Sequence, residues 1–307
     1  MFKCYNVCTY HMEYLLIIAS ILAGFGLISI ILGIFLPKKA TVKGNYFIAG
    51  TLLIGFGLTL MFMYLYHHYP QYAIFEVFKS FGIYVSFILF LAVIVVIIHH
   101  FVNIPSYVYR KLLHIIMTLA IFPLIYSTHT YWITLIVLAM MLGGVTIGLL
   151  IIERLSFYQS LFAEKKKHEV MISFIFYFII CALLIYLFWG LKGESYIYII
   201  FASILAWGLG DAAAAIIGNR FGKPILHGVL IEGHKSIEGS IANFVVASIS
   251  ALIILLIFAP YAWYYSILIA LGVGLVSTIF ELFTRFGLDN LTIPLSVAGI
   301  LFLITLI

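Results

Sequence analysis

The sequence predicts an all-α, polytopic membrane protein with about ten transmembrane spans. Three observations predict it. Of the 307 residues, 65% are apolar and only 9% are charged, whereas soluble domains carry about 25% charged residues. The apolar residues fall in runs of about 20, the length that crosses a bilayer as a helix. The runs are also unbroken, unlike barrel strands, which alternate in polarity over about 10 residues.

The first expected span is Tyr14–Leu36. It is too long for the apolar part of a signal peptide, and no small-residue cleavage site follows it, so it reads as a retained helix. Tyr46–Tyr66 and Phe78–Ile98 follow, with almost no polar residue inside them. These three spans make residues 1–106 an accessory N-terminal bundle. The remaining seven make residues 107–307 the domain that carries the chemistry. They are Lys111–Tyr126, Trp132–Ile152, Val170–Leu191, Tyr196–Ile217, Gly239–Ala259, Tyr264–Phe283 and Thr292–Ile307. The fourth and tenth spans of the chain are short.

The connecting segments set the orientation. Thirteen of the sixteen basic residues fall in odd-numbered loops, and only Lys3, Lys79 and Lys192 fall elsewhere. By the positive-inside rule the odd loops are cytoplasmic and both termini lie outside. The net charge of +5 therefore speaks of topology and lipid headgroups, with no nucleic-acid partner expected. The loop Glu153–Glu169 holds the run Glu164–Lys165–Lys166–Lys167, either a solvated face or a contact for anionic lipids. The loop Gly218–Glu238 is glycine-rich, and long glycine-bearing loops are often functional. Cys4 and Cys8 lie one helical turn apart, but two thiols make a poor metal site. Cys181, inside a span, reads as a packing residue.

Ionisable groups inside a membrane are functional candidates by default. Asp211, in Trp207–Gly–Leu–Gly–Asp–Ala–Ala–Ala–Ala215, is the sharpest. It stands about six residues before the cytoplasmic end of its expected span, roughly 9 Å deep. A carboxylate there can hold Mg²⁺ on a polyphosphate or take a proton from an alcohol. Alternatively, it is a structural acid paired with a Lys or Arg of another helix. The segment His234–Lys–Ser–Ile–Glu–Gly239 opens the eighth span. It is not a P-loop, since Lys235 falls one place late and no buried strand precedes it. A helix N-terminus still favours phosphate, with Lys235 adding charge. Ser236 is a helix cap or a site residue. Glu238 is a metal ligand or a first-turn acid that suits the helix dipole.

Further polar groups lie at span ends. Arg110 and His114 are four apart and share a helix face, while Lys111 projects elsewhere. Glu153 and Arg154 close the fifth span, Glu281 closes the ninth, and Asp289 and Asn290 open the tenth. The charge-derived topology gathers all of them on the cytoplasmic side, which suits a metal–polyphosphate site.

Gly210–Asp211, Ala214, Gly218, Arg220, Phe221–Gly222–Lys223 and Lys235–Ser236–x–Glu238–Gly239 together resemble the signature of the dolichol kinase, phytol kinase and CTP-dependent diacylglycerol kinase family. Arg110–Lys111–x–x–His114, Glu153–Arg154 and Asp289–Asn290–x–x–x–Pro294 resemble its other landmarks. The resemblance covers about residues 107–307. It implies Mg²⁺-dependent transfer of the γ-phosphate of CTP, or another nucleoside triphosphate, to a membrane-embedded lipid alcohol. Asp211, Lys235, His114 and Arg110 would then be catalytic. Gly210, Gly218, Arg220, Gly222, Lys223, Lys235, Ser236 and Gly239 would bind the nucleotide. Asp211, Glu238, Asp289 and Glu281 would hold the metal, with Lys111, Glu153, Arg154 and Asn290 as further site candidates. The competing readings are a CDP-lipid synthase resembling phosphatidate cytidylyltransferase, which also carries a glycine–aspartate pattern, and a broken-helix transporter.

Overall fold

The structure is a computed structural model, and it describes residues 73–101, 105–152, 169–223, 235–284 and 288–306. The first two expected spans, Cys4, Cys8, Glu153, Arg154 and most of the glycine-rich loop lie outside the described residues.

Among the described residues there is no strand. The helices are α1 (Ala73–Phe101), α2 (Ser106–Leu119), α3 (Ile121–Thr128), α4 (Tyr131–Ile152), α5 (Glu169–Leu184), α6 (Ile197–Phe221), α7 (Ile237–Phe258), α8 (Trp263–Phe283) and α9 (Asp289–Ile304). Among the described residues, six helical stretches are long and apolar enough to cross a membrane: Phe75–Val95, Tyr107–Thr128, Ile172–Gly190, Glu194–Phe221, Ile237–Phe258 and Trp263–Phe283. Tyr131–Ile147 and Asp289–Ile304 are shorter apolar helices. All eight lie where the third to tenth spans were expected. The fourth span, expected to be short, reaches full length by extending to Tyr107 and Thr128.

Local chemistry accounts for the breaks. Pro123 lacks an amide hydrogen, and its ring collides with the carbonyl four residues back, that of Leu119. The helix accordingly ends at Leu119 and restarts as α3, where Pro123 falls in the first turn and its missing donor costs nothing. Beyond α5 the chain widens into a π-turn, Ile185–Gly190, which buries Phe188 and Trp189. Pro294 sits inside α9 and removes the helical bond to the Asn290 carbonyl.

The α6 helix is the axis of the bundle and the most enclosed of the candidate spans. It packs on α2, α7 and α9, and α8 packs on α7 and α9. Phe201 of α6 stacks on Phe122, with ring centres 4.5 Å apart. Trp207 is fully buried in the same core, which also holds Phe178, Ile180 and Leu184. Cys181 is a free, buried thiol packed in that core, as its position inside a span suggested. Outward, α7 exposes Ile241, Val245, Ile249 and Ile253 along one stripe. Apolar side chains in that arrangement belong against lipid hydrocarbon.

Candidate functional site

Five helix segments meet around Asp211. It occupies the middle of α6 and is buried. The helix continues to Phe221, four residues past the expected end of the span. Asp211 therefore lies about 15 Å from that end rather than 9 Å. Lys111 of α2 donates to Asp211 Oδ2 at 2.6 Å. His114 Nε2 stands 3.8 Å from the same oxygen. It is buried and has no hydrogen-bond partner. The imidazole rests edge-on against Trp207, 4.9 Å between ring centres.

Four-residue spacing pairs Arg110 with His114 and turns Lys111 away; the structure corrects this. Residues three apart also share a helix face, and it is Lys111 and His114 that reach Asp211 together. Arg110 is half-buried and has interactions of its own.

A second pair lies alongside. Lys235 of the segment before α7 donates to the Glu281 carboxylate and, at 3.0 Å, to the Glu281 carbonyl. It thereby ties the start of α7 to the end of α8. Asp289, at the start of α9, accepts from the Asn290 amide at 3.0 Å. Its carboxylate feels the charges of Asp211, Lys111 and Lys235. Glu281 likewise feels Asp211 and Asp289. Three carboxylates and two lysines thus form one electrostatic unit drawn from α2, α6, α7, α8 and α9.

The other expected site residues take different places. Ser236 caps α7, its hydroxyl accepting from the Gly239 amide at 3.1 Å. A Cβ on Gly218 would stand 3.1 Å from that hydroxyl, and one on Gly239 would stand 2.9 Å from the Ala214 carbonyl. These glycines therefore let α6 and α7 cross at backbone contact. Gly222 abuts Ser236 in the same way, and Gly210 packs against Asn243 and Ala247. Arg220 and Lys223 are exposed at the rim, with the Arg220 guanidinium 5.4 Å from the Phe221 ring centre. Glu238 is half-buried, and its Oε2 is enclosed without a partner.

Among the described residues no three His, Cys, Asp or Glu side chains converge as a ready-made metal cage. Asp211 and Glu281 are engaged by lysines instead. Mg²⁺ needs only one or two protein carboxylates when phosphates complete its shell, so the donor set fits a metal that arrives with a polyphosphate.

Asn243, Ser277 and Thr278 belong to no motif in the sequence. They form a buried polar layer next to Gly210. A lone Asn inside an apolar run was the only sequence signal for it.

A stretch of 99 residues, 31% of this chain, is 34% identical to the phytol kinase of Synechocystis sp. and covers 39% of that enzyme. The match thus spans about two fifths of the relative's length. No family model matches the chain, and no solved structure is similar to it. Helices long and apolar enough to cross a membrane thus surround a lysine–carboxylate cluster in a chain of which about a third is similar to a phytol kinase.

Proposed function

We propose that the protein is an integral-membrane kinase that transfers the terminal phosphoryl group of a nucleoside triphosphate, CTP in the first instance, to a lipid alcohol such as phytol or a polyprenol. The observation that carries this reading is the pairing of each lysine of the cluster with a carboxylate, Lys111 with Asp211 and Lys235 with Glu281. Phosphoryl transfer is mostly positioning and charge neutralisation. A triphosphate brings anions that compete for both lysines. The lysines would then hold phosphate oxygens, and Asp211, Glu281 and Asp289, so freed, would serve as hard oxygen ligands for Mg²⁺. Bound there, Mg²⁺ would neutralise charge on the phosphates.

The alcohol oxygen forms a bond to the γ-phosphorus, and the bond from that phosphorus to the β-bridging oxygen breaks. The nucleoside diphosphate leaves with the electron pair. The hydroxyl proton passes to His114 Nε2, which is unpaired and 3.8 Å from Asp211. Asp211 stabilises the imidazolium so formed. The lipid chain remains between helices or in the bilayer throughout.

The test is product analysis. Purified protein is incubated with Mg²⁺, γ-labelled CTP and, separately, phytol, a polyprenol and diacylglycerol. One lipid should gain the label as a monophosphate, and excess EDTA should abolish the gain. Label from α-labelled CTP in the lipid would mean CDP-lipid synthesis instead. No labelled lipid with any donor triphosphate would remove the kinase reading.

A further inference from the structure

Asn243 is fully buried on α7, about two turns from the cap at Ser236. On one side lies Gly210, where a Cβ would stand 3.1 Å from Asn243 Oδ1. On the other side α8 supplies two hydroxyls. Ser277 donates to Oδ1 at 2.9 Å, and Thr278 Oγ1 lies 3.4 Å from it. The Thr278 hydroxyl is also bound to the Gly274 carbonyl at 2.8 Å. Asn243 Nδ2 is buried and has no partner.

Leaving an amide donor unpaired in a buried site is costly, the more so among helices surrounded by hydrocarbon. Turning the amide over does not remove the cost, because the oxygen would then be left without a donor. Half of the amide is unused in either orientation. The position is suggestive too. Gly210 directly precedes Asp211, and Ser277 lies one turn before Glu281 on the same helix. The unsatisfied amide therefore sits in the layer adjoining the lysine–carboxylate cluster, within the membrane-crossing part of α7.

We propose that Asn243 recognises the hydroxyl of the lipid alcohol, with Ser277 and Thr278 holding its amide in place. This rests on the kinase reading above. A hydroxyl both donates and accepts, so it completes whichever half of the amide is left over, whereas a hydrocarbon completes neither. The amide stays neutral and does not compete with His114 or Asp211 for the proton. Its contacts with Gly210 and Ser277 put it against the helices that carry Asp211 and Glu281, so an alcohol bound to it would present its oxygen toward the cluster. Sites built to hydrogen-bond a hydroxyl discriminate strongly against analogues that lack it.

The experiment uses the full chain in lipid nanodiscs. Asn243→Leu replaces the amide by an apolar group of similar volume, and Ser277→Ala removes its anchor. Expected is a rise of about tenfold in the KM for phytol in Asn243→Leu, a smaller rise in Ser277→Ala, and an unchanged KM for CTP in both. An unchanged phytol KM, or equal rises for phytol and CTP, overturns the proposal. A second measurement needs neither turnover nor nucleotide. Phytol should raise the melting temperature of the wild-type protein more than phytane, the hydrocarbon without the hydroxyl, and Ser277→Ala should shrink that difference. Equal shifts for phytol and phytane in the wild type also overturn it. A wild-type protein that labels no alcohol sinks the kinase reading instead, and the phytol–phytane comparison reads the Asn243 site independently of that failure.

Discussion

The Asp211 and Lys111 side chains are unequally buried, 10% against 26% exposed, and that inequality separates packing from chemistry. Lys111→Met strands a buried carboxylate, a change that costs about 3–5 kcal/mol when a buried ion pair loses one partner. Asp211→Asn leaves unpaired the less enclosed of the two side chains, so the loss should be smaller. The expected order of melting temperatures is wild type, then Asp211→Asn, then Lys111→Met. The double variant should recover most of the stability that Lys111→Met loses. Turnover should not recover with it. If Asp211 holds metal or stabilises the protonated His114, every variant lacking it should fall at least about a hundredfold. Melting curves and label transfer on the same preparations check both halves. An active Asp211→Asn protein takes Asp211 out of the reaction. A double variant no more stable than Lys111→Met shows that the pair was not the source of the loss.

At the scale of elements, the crossing of α6 and α7 decides what the glycine-rich signature does. Gly239→Ala would press a methyl group to 2.9 Å from the Ala214 carbonyl, which is backbone and cannot rotate away. The helices must separate, at a cost of about 1–3 kcal/mol for such overpacking. Ser236→Ala removes the α7 cap and should cost about 1 kcal/mol. Both variants are therefore expected to melt lower than wild type in a thermal scan. Were Ser236 chiefly a nucleotide ligand, Ser236→Ala would lose activity with its melting unchanged. Sequence alone could not separate these roles, because a glycine that admits a phosphate and one that admits a helix both simply lack a Cβ. The helices themselves were legible, since run length and hydropathy are local properties. So was the gathering of Lys235, Glu281 and Asp289, because each stands at a span end and successive spans alternate in direction. That Asp211 pairs with a Lys or Arg of another helix was one of the readings left open; that the partner is Lys111 was not legible, since the two lie 100 residues apart. Nor was the Asn243–Ser277 contact, which joins two helices across 34 residues. Such pairings depend on the rotation of each helix about its own axis, which hydropathy fixes poorly when nearly every face is apolar.

At the scale of the whole molecule, the two ends of the bundle differ in chemistry. One end carries Lys111, Lys235, Glu281 and Asp289. The other carries the exposed aromatic run Trp263, Tyr264 and Tyr265 at the start of α8. There the Tyr198 and Tyr261 hydroxyls meet at 3.0 Å, joining the beginning of α6 to the connection between α7 and α8. Aromatic residues concentrate where hydrocarbon gives way to headgroups, so this end suits one membrane interface and the charged end the other. On the distribution of basic residues, thirteen of sixteen in odd-numbered loops, the charged end is expected to face the cytosol. That is also where a nucleoside triphosphate is available. The expectation is tested by Lys166→Cys, Gly228→Cys and Tyr264→Cys, each in a background from which Cys4, Cys8 and Cys181 have been replaced. A membrane-impermeant maleimide applied to sealed cells should label Tyr264→Cys only. The same reagent applied to inverted vesicles should label Lys166→Cys and Gly228→Cys only. Labelling of Gly228→Cys in intact cells would reverse the orientation. It would also place the lysine–carboxylate cluster on the side without nucleotide, and the kinase mechanism would fall with it.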